Sequence, residues 1–331
     1  MPRHARKPHV PLLLAGLAVT FPVAPMAAQD LQAIRSQLRD DLSASNFTQS
    51  LLGLVVFADE LELGSATYQI DDDVSTDVKT YALPFHTTSD LWGGERPRLY
   101  LEGALGYAVS RQGTDDLYGG LLPGLETAID TKWRTYGGLI GVGLQFRPRP
   151  DLTVAPMLHL ALSRIENETT FAGPGAAATA ALTNGIAFNW DAWTIGYGGG
   201  VRADWQRQLG ERHRLEVVGR YDLRWTDTFD ADDSAQEFLD RTQTLTVRGD
   251  LIGPAGFDLF DKPVEWQLTS AYRAFLEGDL FGVDAYAQVG ASLLVWTGDK
   301  SLPGTSGFAV GGSFLFGEDL TGWELGVRML F

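Results

Sequence analysis

The stretch HLALSRIEN (159–167) brings together His159, Ser163 and Asn167, the residue types of a base, a hydroxyl nucleophile and an orienting amide. In an extended chain His159 and Ser163 share a face but stand ~13 Å apart, out of hydrogen-bond reach, so the spacing argues against acyl hydrolysis. Metal and thiol chemistry have little to build on. The chain has no cysteine, which excludes thiol catalysis, cysteine metal ligands and disulfides. Once His4 and His9 are set aside with the leader described below, His86, His159 and His213 are the histidines left for a metal site. The acidic run DDD (71–73) lacks the glycine and distal glutamate of an EF-hand loop and reads as a solvated loop. The expectation is a non-enzymatic protein with no cofactor and no metal.

The remaining charged residues share a pattern: they alternate with apolar ones. In DAWTIGYGGGVRADWQRQL (191–209), Trp193, Ile195, Tyr197, Val201, Ala203 and Trp205 fall on one face, with Arg202 and Asp204 on the other. In RHRLEVVGRYDLRWTDT (212–228), Leu215, Val217, Tyr221, Leu223 and Trp225 oppose Arg214, Glu216, Arg220, Asp222 and Arg224. The same parity puts Glu102, His159, Arg248, Asp250, Glu265, Arg273, Glu324 and Arg328 on the polar face. If that face lines a lumen, its mixed charges pair with each other and with water, or form a selective pore lining.

These positions need strands of unusual length. Period-two segments are expected at 61–70, 77–88, 97–111, 132–147, 151–165, 190–208, 212–228, 239–252, 263–277, 283–297, 306–316 and 321–331. Several exceed the ~5–6 residues usual in globular sheets and match the ~9–11 needed to cross a bilayer at a tilt. Tryptophan and tyrosine bracket the apolar faces as an aromatic girdle does. The fold class is therefore an all-β membrane protein: a closed antiparallel transmembrane β-barrel of about twelve strands. An even strand count puts both barrel ends on the periplasmic side. Long connections at 112–131, 166–189 and 229–238 are then extracellular, and the short turns RPRPD (147–151) and LGERH (209–213) are periplasmic. Asp115, Asp116, Asp230, Asp232, Asp233 and Glu318 lie in the outer loops, and Arg147, Arg149, Arg207 and Arg212 in the inner turns. The connections near 253–262 and 298–305 are longer than this rule prefers.

Both termini fit an exported barrel. Residues 1–28 have a basic start, a short apolar run and small residues before Gln29, the layout of a secretory signal peptide. The segment 29–60 opens with DLQAIRSQLRDDLSAS (30–45). There Leu31, Ile34, Leu38 and Leu42 form a helical stripe and Asp30 is placed to cap the helix. Residues 46–64 read as a further strand, the start of a long first strand or a helical extension. Twelve strands tilted ~40° enclose roughly 24 Å and leave ~12 Å free between inward side chains, about one helix diameter. The short N-terminal helix thus has room in the lumen of the barrel at 61–331. The last strand, GWELGVRMLF, sets Trp323, Leu325, Val327, Met329 and Phe331 on one face and ends on a ring.

That terminal strand resembles the C-terminal strand of Gram-negative outer-membrane proteins, whose terminal Phe is read by the barrel-assembly machinery. Twelve strands, a helix before the first and Phe331 at the end resemble the translocator domain of autotransporters over roughly residues 29–331. Almost nothing lies where a passenger would be, so the chain looks like a solitary autotransporter barrel. The resemblance implies a bacterial outer-membrane location. The partners expected are membrane lipid and lipopolysaccharide, with the assembly machinery acting on the last strand. A monomer and no nucleic-acid partner are expected. A porin-like diffusion channel is the alternative. Outer-membrane phospholipases also use twelve strands and a His-Ser-Asn set, but there the set faces lipid, whereas His159 and Ser163 face the lumen.

Overall fold

The computed structural model describes residues 28–44, 64–70, 76–90, 97–117, 126–278, 283–296, 307–318 and 320–330. Most of the leader, the acidic run 71–73 and Phe331 lie outside the described residues, as do the side chains of Arg328 and Met329. Helix α1 (Ala28–Ala44) comes first. Twelve strands follow: β1 (Gly64–Ile70), β2 (Thr76–Ser89), β3 (Arg98–Thr114), β4 (Ala128–Arg149), β5 (Leu152–Ala172) and β6 (Trp190–Leu209), then β7 (His213–Ala231), β8 (Leu239–Leu259), β9 (Lys262–Glu277), β10 (Ala285–Trp296), β11 (Gly307–Gly317) and β12 (Leu320–Leu330). Each pairs antiparallel with its sequence neighbours, and β1 pairs with β12, so the sheet closes into a barrel. Closure leaves no unpaired edge, which a wall surrounded by hydrocarbon requires.

The barrel is inside out relative to a soluble domain. Leu105, Ile140, Leu158, Leu160, Val201 and Tyr272 are exposed on the outer wall, while Glu102, Thr135, His159, Asn167, Asp250 and Gln267 are buried. With lipid as the outer solvent the apolar face needs no protein partner, and the polar face must find its partners inside. The wall is uneven in height. β4, β5 and β8 run 22, 21 and 21 residues, whereas β10, β11 and β12 run 12, 11 and 11.

Three local expectations change. The helix begins at Ala28, so Asp30 sits in its first turn and not at the cap. The connection expected at 166–189 starts later, because β5 continues to Ala172, and it contains helix α2 (Ala176–Thr183). The apparent long turn at 253–262 is a two-residue hairpin. Leu259 pairs with Lys262, and Phe260 (φ 53°) and Asp261 (φ 59°) both adopt the left-handed conformation that a type I′ turn demands. A register shift between Pro254 and Asp258 takes up the extra residues. Proline, which cannot donate to the ladder, is tolerated at such a bulge.

Candidate functional site

The lumen divides into two tiers. The inner tier, toward the short turns, is charged. Its centre is Glu102 on β3, 2% exposed, which accepts from the Tyr100 hydroxyl at 3.0 Å. Arg220 on β7 reaches the same carboxylate with both terminal nitrogens, at 3.0 and 2.7 Å. Strands β4, β5 and β6 separate β3 from β7 in the sheet, so this bidentate pair spans a large arc of the barrel. His159 on β5 stands between, its Nε2 3.1 Å from Glu102 and its Nδ1 3.5 Å from Asp222. Asp222 in turn accepts from Arg220 Nε at 2.6 Å. Glycine on the intervening strands makes the approach possible. A Cβ at Gly141 would sit 2.8 Å from both Glu102 Cγ and His159 Cδ2, and one at Gly200 would overlap the Asp222 carboxylate.

Around this centre the inner wall repeats one device. An arginine pairs with the acid two residues further along the same strand face: Arg202 with Asp204 at 2.7 Å, Arg214 with Glu216 at 2.6 Å, Arg248 with Asp250 at 2.9 Å. The register sets Arg202 opposite Arg220 and Glu216 opposite Asp250. Like charges directly opposite repel, so each is neutralised along its own strand. Glu265 accepts from Trp296 Nε1 at 2.6 Å, and Glu324 from Gln288 Nε2 at 2.7 Å. The Arg273 guanidinium lies 5.4 Å over the Phe275 ring, and Arg224 occupies the inner face opposite Gly198. Between this wall and the short turns is a cavity of about 450 Å³, lined by His86, Arg202, Asp204, Arg248, Asp250 and Trp296 among others.

The outer tier is apolar and filled. Leu38 and Leu42 of α1, each 1% exposed, join a cluster with Val78, Ala108, Trp133, Ile165, Phe275 and Leu315, drawn from strands around the barrel. Full burial of each leucine is worth about 1.5–3 kcal/mol. Polar contacts fix the helix to the outer loops. Arg39 makes a bidentate pair with Asp233 at 2.7 Å for both bonds. Arg35 donates to the carbonyls of Ala181 at 2.7 Å, Leu182 at 3.0 Å and Asn184 at 3.0 Å. Those carbonyls close α2, where a cation satisfies orphan acceptors and complements the helix dipole. Asp233 also caps the 3-10 turn Ser234–Gln236 through a capping box, and Gln236 Nε2 bonds the carbonyls of Gly185 and Ile186. The two outer loops and α1 thus form one hydrogen-bonded assembly across the mouth.

Of the positions read from the sequence as lumen-facing, Glu102, His159, Arg220 and Asp222 are joined in one network across β3, β5 and β7. Strand parity alone did not show the bond from Arg220 to Glu102, nor the loop residues Arg35, Arg39, Asp233 and Gln236 that hold the helix. The D-x-x-Q spacing of Asp233 and Gln236 is a cap signature that the sequence does carry. His159 and Ser163 share the inner face, and His159 Nε2 is turned to Glu102 while Ser163 Oγ has no hydrogen-bond partner among the described residues. Among the described residues no group of three or more His, Asp or Glu is arranged to hold a metal ion. Trp323, Leu325 and Val327 of the terminal strand point outward, exposed.

No curated protein sequence matches the chain. Among solved structures it is similar to the beta domain of the Bordetella autotransporter BrkA, with 15% identity, 81% of this chain and 97% of that chain covered, and a TM-score of 0.45. It is similar to the translocator domain of the autotransporter NalP from Neisseria meningitidis, with 14% identity, 92% and 100% covered, and a TM-score of 0.48. It is also similar to the transport unit of the autotransporter AIDA-I from Escherichia coli, with 9% identity, 88% and 99% covered, and a TM-score of 0.46. A family model described as the solitary outer membrane autotransporter beta-barrel domain matches residues 53–327. The chain belongs to that family, and its barrel is a bacterial outer-membrane autotransporter barrel.

Proposed function

We propose that this autotransporter barrel acts, without enzymatic activity, as a self-plugged translocator whose own N-terminal helix closes the outer mouth. The observation that carries this reading is α1: Leu38 and Leu42 are buried among inward side chains of the barrel, and Arg35 and Arg39 are bonded to the outer loops. A helix with Arg35, Arg39, Asp40 and Asp41 on its surface is poorly suited to lipid and is satisfied inside a polar barrel. With ~12 Å free between inward side chains, a docked helix ~10–12 Å wide fills most of the lumen and blocks a porin-like flux. The diffusion-channel reading is favoured by the cavity of about 450 Å³ below the helix and requires α1 to leave. Single-channel conductance separates the two. Deleting residues 29–45 from the mature chain raises conductance severalfold while the heat-modifiable folded form persists. Equal conductance with and without the helix would replace this reading by the open channel.

A further inference from the structure

The outer wall of β2, β3 and β4 carries a feature that the lumen does not explain. Tyr81, Tyr107 and Tyr136 form a row across these strands, with ring centroids 6.1 and 5.1 Å apart. Rows of tyrosine on an outward face mark the hydrocarbon–headgroup boundary. Toward the outer loops, two and four residues beyond these tyrosines, the same face presents Lys79, Arg111 and Lys132. Each is flanked by buried neighbours: Val78 and Thr80, Ser110 and Gln112, Thr131 and Trp133. The three cations therefore project toward lipid at headgroup level.

Among the described side chains their charges have no paired acid. Arg111 and Lys132 stand directly opposite each other in the register, an arrangement that repels unless an anion joins them. Glu168, the register partner of Lys132, turns to Arg134 at 2.7 Å, and Glu166 lies 3.4 Å from Arg164. Asp77 holds the register position on the other side of Arg111, and Asp130 ends the same face of β4. Lys79, Arg111 and Lys132 make no ion pair among the described residues. The opposite wall differs: the outward positions Val289, Leu293, Val310, Phe314, Trp323 and Leu325 of β10–β12 are apolar.

We propose that Lys79, Arg111 and Lys132 form a binding site for the phosphates of an outer-leaflet phosphorylated glycolipid, lipopolysaccharide, whose acyl chains lie over Leu83, Leu105 and Ile140. Those three residues are exposed on the same face below the tyrosines. A phosphate set between Arg111 and Lys132 converts their repulsion into two charge-assisted contacts.

The test uses the full mature chain in detergent and purified lipopolysaccharide as the probe, read by native mass spectrometry and by the shift in unfolding temperature on lipid addition. Replacing all three residues (K79Q, R111Q and K132Q together) weakens binding about a hundredfold, the effect expected from three phosphate-facing charges. Arg241→Gln, on the far side of the barrel, leaves binding unchanged. K79R with K132R keeps the charges, retains binding and controls for folding, as does heat-modifiable migration. Equal retention by the neutralised and wild-type chains overturns the proposal. So does equal binding of phosphatase-treated lipopolysaccharide, and equal protection by phosphatidylglycerol overturns the glycolipid assignment.

Discussion

The two tiers of the lumen solve the same problem by opposite means. Both must fill a cylinder that lipid surrounds. The inner tier fills it with charge fixed in the wall, where Glu102, His159, Arg220 and Asp222 bond across strands. The outer tier fills it with a separate element, α1, seated on apolar side chains and tied to the loops through Arg35 and Arg39. The first belongs to the barrel and cannot leave without breaking it. The second is attached through a few side chains and can be removed. On the proposed reading, one barrel holds a layer of charge fixed in its wall and a separate helix that serves as a removable plug.

The largest expected effect breaks the permanent tier. Glu102→Ala removes the buried carboxylate shared by Arg220, His159 and Tyr100 and leaves Arg220 with Asp222 alone. Breaking a buried ion pair costs about 3–5 kcal/mol. The urea midpoint of the folded barrel in detergent falls accordingly, with Glu102→Gln milder because it retains the shape. An unchanged midpoint would mean that the lumen charges are solvated singly and that the inner tier is no fixed layer.

Next is the plug itself. Leu42→Ala deletes a side chain that is 1% exposed, a change worth about 2–5 kcal/mol in a packed core. Here the loss falls on docking of α1 and not on the wall, so conductance rises while the barrel's urea midpoint holds. A parallel fall in that midpoint would show the two tiers to be one cooperative unit and erase the distinction between them.

What the sequence reveals follows the same division. Strand positions and facing were legible because lipid outside and polarity inside force strict alternation, and parity carries Glu102 and Arg220 to the lumen without any knowledge of neighbours. Their bond was not legible, because it joins β3 to β7, 118 residues apart, through the closed geometry. The stripe Leu31, Ile34, Leu38, Leu42 identified the helix, yet nothing in it names its seat. Helix α2 was readable in principle: Pro174 and Gly175 precede an alanine-rich run, a helix start followed by the strongest helix former. The hairpin at Phe260–Asp261 was not, since Phe has no preference for positive φ and gives no turn signal.

A smaller change separates the polar from the apolar part of the docking. Arg39→Ala removes a bidentate bond to Asp233 at a partly exposed site. Its contribution is about 1–2 kcal/mol, below the upper range for charged hydrogen bonds because solvent screens it. The helix stays seated on Leu38 and Leu42, and brief full-conductance openings become more frequent. Permanent opening would make Arg39, and not the leucines, the main attachment.

The smallest effect is that of acid, and it is specific to one bond. The Arg39 guanidinium holds the Asp233 carboxyl below its ordinary value of 3.8, first through the hydrogen bond and then through charge, while partial burial acts the other way. A carboxyl whose folded pKa is depressed contributes stability above its free value and loses it as the pH falls through the folded one. Docking of α1 is therefore constant from neutral pH down to about 4 and weakens only below 3.8. Arg35 does not follow, because its acceptors are the backbone carbonyls of Ala181, Leu182 and Asn184, which do not titrate in this range. Opening frequency measured against pH thus rises below 3.8 in the wild type and stays flat in Asp233→Asn, whose baseline is already raised. A rise that persists in Asp233→Asn would locate the acid response elsewhere, with the charged inner tier as its source, and the outer tier would then not be the acid-sensitive one.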